Sequence, residues 1–200
     1  MIHVYPGMGA TAEMYTKPWR RIADIQFHNW GQWNGEASIS AVAQRVIKDH
    51  SIQKGDTVIG SSLGGIVACE IANTIEVEKL VLIGSATSPK EVNKLLKTFH
   101  PFIDITPVGL VQLSSGKIPL NISQMFSSSD ADFIRHMCRA IFLWEGLHSD
   151  VSLLRVHGKR DHVIPSPSGV DHYIDGGHLI AMTHAESCVE IIKPYLGGII

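Results

Sequence analysis

The chain has 200 residues, of which 44% are hydrophobic and 18% charged, with a formal net charge of -2. That length suits one domain burying roughly 70% of its unfolded surface. The near-neutral charge, with basic pairs no longer than Arg20-Arg21 and Lys159-Arg160, speaks against a nucleic-acid partner. Cys69, Cys138 and Cys188 are far apart in apolar helical contexts and read as small buried hydrophobes of a reducing compartment. Eleven histidines show no clustered metal-ligand spacing. Met1-Tyr5 lacks the charged and apolar regions of a signal peptide, and no apolar run reaches the ~20 residues of a membrane span. The expectation is a soluble, cytoplasmic protein that spans no membrane; its oligomeric state is not fixed by sequence.

In chain order, Ile2-Tyr5 reads as a strand stopped by Pro6-Gly7-Met8-Gly9. Thr11 caps an expected helix to about Ile22, irregular around Pro18. Asp24-Trp30 is a second strand, and Ser38 caps a helix carrying Ile39, Val42, Val46 and Ile47 at helical spacing. Asp56-Ile59, Leu63-Ile75 and Lys79-Gly84 then read as strand, helix and strand, so the alternation predicts a parallel sheet wrapped by helices.

From Ala86 to about Asp150 the signals are helical: Pro89-Lys97, Pro107-Leu113, Ser123-Phe126, and a helix starting at Ser129-Asp132 and running to Trp144. Phe126, Phe133, Met137 and Phe142 read either as ordinary core packing or as the lining of an apolar substrate pocket beneath a helical cap. Val151-His157 is the next strand, Val170-Asp175 alternates like an edge strand, and a last helix is expected over Leu179-Tyr195. One domain, 1-200, with a cap over about 86-150, is expected.

Gly60-x-Ser62-x-Gly64 lies between the strand Asp56-Ile59 and the helix Leu63-Ile75. That is the pattern of a nucleophile elbow, where glycines two residues either side relieve crowding at a strained serine. Three more signatures follow the same logic: Pro6-Gly7-Met8-Gly9 after the first strand, His157-Gly158-Lys159-Arg160-Asp161, and Gly176-Gly177-His178. Together, in this order, they make the chain resemble an α/β-hydrolase over nearly its whole length. The resemblance implies a three-layer α/β sandwich with a mostly parallel sheet of about six strands and a helical cap insertion.

Ser62 is the expected nucleophile, preferred over Ser61, which lacks the symmetric glycine spacing. His178 is the expected base, because His172 falls within a strand and His184 within the last helix. Asp161 is the expected orienter of His178; Asp175 is too close along the same strand to reach the far ring nitrogen. His157 is expected to pack or hydrogen-bond locally. The oxyanion would meet the backbone N-H groups of Met8 and Leu63. No cofactor and no metal are expected. Two departures from the family pattern are a count of only six strands and Pro165-Gly169 standing where a helix usually connects acid to histidine. The expected activity is hydrolysis of a small-molecule carboxylic ester or thioester. A lyase or C-C bond hydrolase using the same groups, and a non-catalytic small-molecule receptor, are the alternatives. An epoxide hydrolase would present an acid where Ser62 stands.

Overall fold

The computed structural model describes residues 1-92, 130-165 and 167-197. The described strands are β1 (Ile2–Tyr5), β2 (Ile25–Phe27), β3 (Thr57–Ser61), β4 (Lys79–Ile83), β5 (Ser152–Gly158) and β6 (His172–Ile174). They form one sheet in the order β2-β1-β3-β4-β5-β6, and every pairing is parallel. The α-helices of the described residues are α1 (Ile39–Asp49), α2 (Leu63–Thr74), α3 (Ala131–Leu143), α4 (Ile180–Thr183) and α5 (Ala185–Tyr195).

Side chains of the central strands alternate between two cores, as the two-residue period of a strand requires. Tyr5, Val58, Leu80 and Leu82 face α1, α2 and α3. Val4, Ile59, Val81, Ile83, Leu154 and Val156 face Trp19, α4 and α5. The result is a three-layer sandwich. On α2 alone Leu63, Ile66, Val67 and Ile71 are buried, each contributing about 1.5–3 kcal/mol relative to an exposed side chain.

Ser38 caps α1 by accepting from the Ala41 amide at 3.1 Å, where the sequence places that cap. Three local expectations are corrected and one, the start of α3, is made definite. The helix expected after Thr11 is two 3-10 turns, Ala12–Met14 and Lys17–Arg21. Long-range bonds outbid a continuous helix there: Tyr15 donates to Tyr5 O at 2.6 Å and the Trp19 indole to Ala181 O at 2.8 Å. The helix expected from Pro89 is, in its described part, a 3-10 turn over Pro89–Glu91 that leaves helical geometry at Val92. The cap of α3 is Asp130, whose Oδ1 accepts from the Asp132 and Phe133 amides at 2.9 and 3.2 Å. The last helix is broken at His184, which is non-helical at φ -129, ψ 39. Pro107-Leu113, Ser123-Phe126 and Ser129 lie outside the described residues. No helix of the described residues is long and apolar enough to cross a membrane.

Candidate active site

Ser62 sits between β3 and α2 with φ 52 and ψ -119, a left-handed conformation that L side chains rarely adopt. Two glycines make that turn possible. A Cβ on Gly60 would lie 2.2 Å from the Gly64 backbone, and one on Gly64 would lie 2.4 Å from Tyr5 O. The elbow therefore packs backbone on backbone, with α2 starting directly against the end of β1. The Ser62 carbonyl is held by Ser85 Oγ at 2.7 Å.

His178 follows β6 and Asp161 follows β5, so the ends of β3, β5 and β6, with β4 between the first two, deliver three side chains to the C-terminal end of the sheet. His178 Nδ1 lies 2.8 Å from Asp161 Oδ2, and His178 Nε2 lies 2.7 Å from Ser62 Oγ. A carboxylate only accepts, so Nδ1 carries the proton and Nε2 offers its lone pair to the Ser62 hydroxyl. Gly84, at φ 53 just past β4, makes room for the pair: a Cβ there would lie 2.9 Å from His178 O and 3.7 Å from Asp161 Oδ2.

The Asp161 side chain is completely buried. Burial alone would push its acidity down, yet donors from His157, His178 and the Ile164 amide outweigh it and hold the carboxyl below the usual range. Oδ1 accepts from the amides of Val163 and Ile164 at 2.8 and 2.9 Å. The short connection to His178 therefore suffices, because the local turn rather than a helix fixes the carboxylate. The rivals stand elsewhere. Asp175 is exposed and paired with Arg160, His172 is exposed, and His184 bonds Thr183 Oγ1 at 2.8 Å.

The Pro6-Gly9 loop crosses the elbow, with a Cβ on Gly7 falling 3.5 Å from Ser62 Cβ. Gly7 O accepts from the Ala10 amide at 3.2 Å and the Trp30 indole at 3.1 Å, so the turn that carries Met8 is tied down from two sides. Leu63 opens α2, where a helix leaves amides without carbonyl partners one turn earlier. Over this loop lies α3: Cys138 Sγ is 3.6 Å from Met8 Sδ, and the Phe133 and Trp30 rings are 5.6 Å apart. Burial holds the Cys138 thiol up at about 11, so it is not a thiolate at neutral pH. Met137 and Phe133 are buried within the core, Phe142 packs on it partly exposed, and Phe126 lies outside the described residues. No group of three or more His, Cys, Asp or Glu among the described residues is placed to hold a metal ion.

Sequence reading missed Gly84, Ser85 and the second imidazole on Asp161: His157 Nε2 lies 3.2 Å from Asp161 Oδ2. The glycine ending β4 was a usable signal for the first of these; nothing local signalled the others.

No family model and no curated protein matches the chain. Solved structures do. A hydrolase from Oleispira antarctica is 14% identical with a TM-score of 0.77, covering 99% of this chain and 91% of its own. A lipase-esterase related protein from Clostridium acetobutylicum is 15% identical at 0.77, covering 97% and 93%. A thioesterase of the prodiginine pathway from Streptomyces coelicolor is 13% identical at 0.70, covering 96% and 88%. At these identities the likeness speaks for architecture, and the chain has the α/β-hydrolase fold.

Proposed function

We propose that the protein is a serine hydrolase that cleaves a carboxylic ester or thioester through an acyl-enzyme on Ser62. The observation that carries this reading is the unbroken hydrogen-bond line from Ser62 Oγ through His178 to Asp161, 2.7 and 2.8 Å long, ending on a strained serine at a helix start. A hydroxyl is a poor nucleophile until a base takes its proton. His178 Nε2 takes it as Ser62 Oγ attacks the carbonyl carbon, and Asp161 steadies the imidazolium that forms. The carbonyl oxygen becomes an oxyanion facing the backbone N-H groups of Met8 and Leu63, with α2 adding the positive end of its dipole. His178 then protonates the departing alcohol or thiol. Water attacks the acyl-Ser62 carbonyl, His178 takes its proton, and the acid leaves with Ser62 restored.

On this reading α3, whose Cys138 packs on Met8 of the Pro6-Gly9 loop, belongs to a cap that sets the acyl size. The esterase and thioesterase descriptions of the structural neighbours agree with that substrate class. The test is turnover of p-nitrophenyl esters and acyl thioesters of graded chain length by the protein and by Ser62→Ala. The expected result is turnover by the parent, with kcat reduced by about 10⁴-fold or more in the variant. Turnover unchanged by the substitution would refute the reading.

A further inference from the structure

β5 turns two polar side chains, Arg155 and His157, toward the side of the sheet where β3 and β4 present Val58, Leu80 and Leu82. Each therefore has a definite task, since a buried polar group without partners is costly. Arg155 holds the Glu91 carboxylate at 2.8 Å and bonds Ser85 O and Ser168 O. His157, 1% exposed, has its Nε2 2.7 Å from Ile164 O and 3.2 Å from Asp161 Oδ2. A carbonyl and a carboxylate both only accept, so Nε2 carries a hydrogen, which Ile164 O receives with Asp161 Oδ2 close beside it. The ring is held edge to face by Tyr173, with centroids 6.4 Å apart. Asp161 Oδ2 thus bonds the His178 N-H and lies 3.2 Å from the His157 Nε2, while Oδ1 receives two amides.

We propose that His157 is a positioning residue of this site: its Nε2-H fixes the Asp161 carboxylate and draws off part of its charge, and so sets the basicity of His178. The proposal rests on the hydrolase reading above. A donor beside Oδ2 lowers the pull of Asp161 on the imidazolium that forms at His178 when it takes the Ser62 proton, and removing the donor strengthens that pull. The same donor stops the carboxyl group rotating away from Nδ1. Tyr173 from β6 packs edge to face on His157, and Ser62 Oγ from the elbow lies 2.7 Å from His178 Nε2. Arg160 turns outward to Asp175.

The experiment compares the parent with His157→Phe, which keeps ring volume but donates nothing, and with His157→Gln, which keeps a donor. Fluorophosphonate titration first counts active sites, so loss of folded protein does not enter the rates. His157→Phe is expected to move the acid limb of kcat/KM up by about half a pH unit and to lower kcat on the order of tenfold with KM little changed; His157→Gln returns most of both. An acid limb in His157→Phe at the parental pH overturns the proposal, whatever the change in stability. Should His157→Phe not fold, ¹⁵N NMR of the parent decides: a proton on His157 Nε2 supports the proposal and a bare Nε2 overturns it. A parent without Ser62-dependent labelling overturns the hydrolase reading and this one together. A labelling parent with an unmoved limb overturns this one alone.

Discussion

Strain at Ser62 gives a prediction that separates two inactive variants by their stability. At φ 52 and ψ -119 a residue with a Cβ pays on the order of 1–3 kcal/mol that glycine does not. Ser62→Ala keeps the Cβ and the strain, and loses the bond from Oγ to His178 Nε2, worth about 0.5–1.5 kcal/mol. Ser62→Gly loses the same bond but releases the strain, at a cost of about 0.5–1 kcal/mol for the extra freedom of an unfolded glycine. Because the lost bond is common to both, it cancels between them. Ser62→Gly should exceed Ser62→Ala by about 1 kcal/mol, or about 2–4 °C in Tm for a domain of this size. Urea and thermal unfolding of the three proteins at pH 7.5 measure it, and neither variant should turn over ester. A Ser62→Gly protein no more stable than Ser62→Ala would refute the claim that the elbow is strained.

Gly64→Ala places a methyl 2.4 Å from Tyr5 O, a backbone atom that cannot rotate aside, so it should cost about 2–4 kcal/mol in urea unfolding and lower kcat as the Pro6-Gly9 loop is pushed off. Arg155→Leu strands the Glu91 carboxylate and should cost about 3–5 kcal/mol, of which Arg155→Leu with Glu91→Leu recovers a large part; equal losses in single and double variants would deny the pairing. His28 stacks on His50 with centroids 3.9 Å apart, and its Nε2 is 3.0 Å from His3 Nδ1. Burial, then the neighbouring His50 and His3, hold the His28 pKa down at about 3 against an ordinary 6.5. The unfolded chain therefore takes up a proton below pH 6.5 that the folded chain refuses until about pH 3. Stability should fall across that window by about 0.5–1 kcal/mol per pH unit from this half-buried ring, and His28→Phe should flatten the slope in urea titrations at pH 7, 6 and 5.

Much of the framework was legible because short-range chemistry and tertiary packing agree there. β1, α1 behind its Ser38 cap, and the β3-α2 elbow all follow from apolar period and glycine punctuation. Ser62, Asp161 and His178 were legible as candidates because each lies within three residues of a glycine past a strand end, where close backbone approach leaves a mark in the sequence. Where long-range contacts decide, the reading went astray. Tyr15 and Trp19 satisfy distant carbonyls, 10 and 162 residues away, and that turns an expected helix into two 3-10 turns. His184 breaks the last helix without proline or glycine to announce it. The Arg155-Glu91 pair spans 64 residues, and the second imidazole on Asp161 depends on a turn at Ile164 that no local pattern specifies.

The central claim is that Ser62 is an activated nucleophile. A fluorophosphonate probe followed by peptide mass mapping tests it most directly, because the probe bonds only to a serine whose proton a base removes. The account predicts one adduct, on Ser62, absent in Ser62→Ala and strongly slowed in Asp161→Asn. An adduct on another residue, or none on a folded protein, would contradict it.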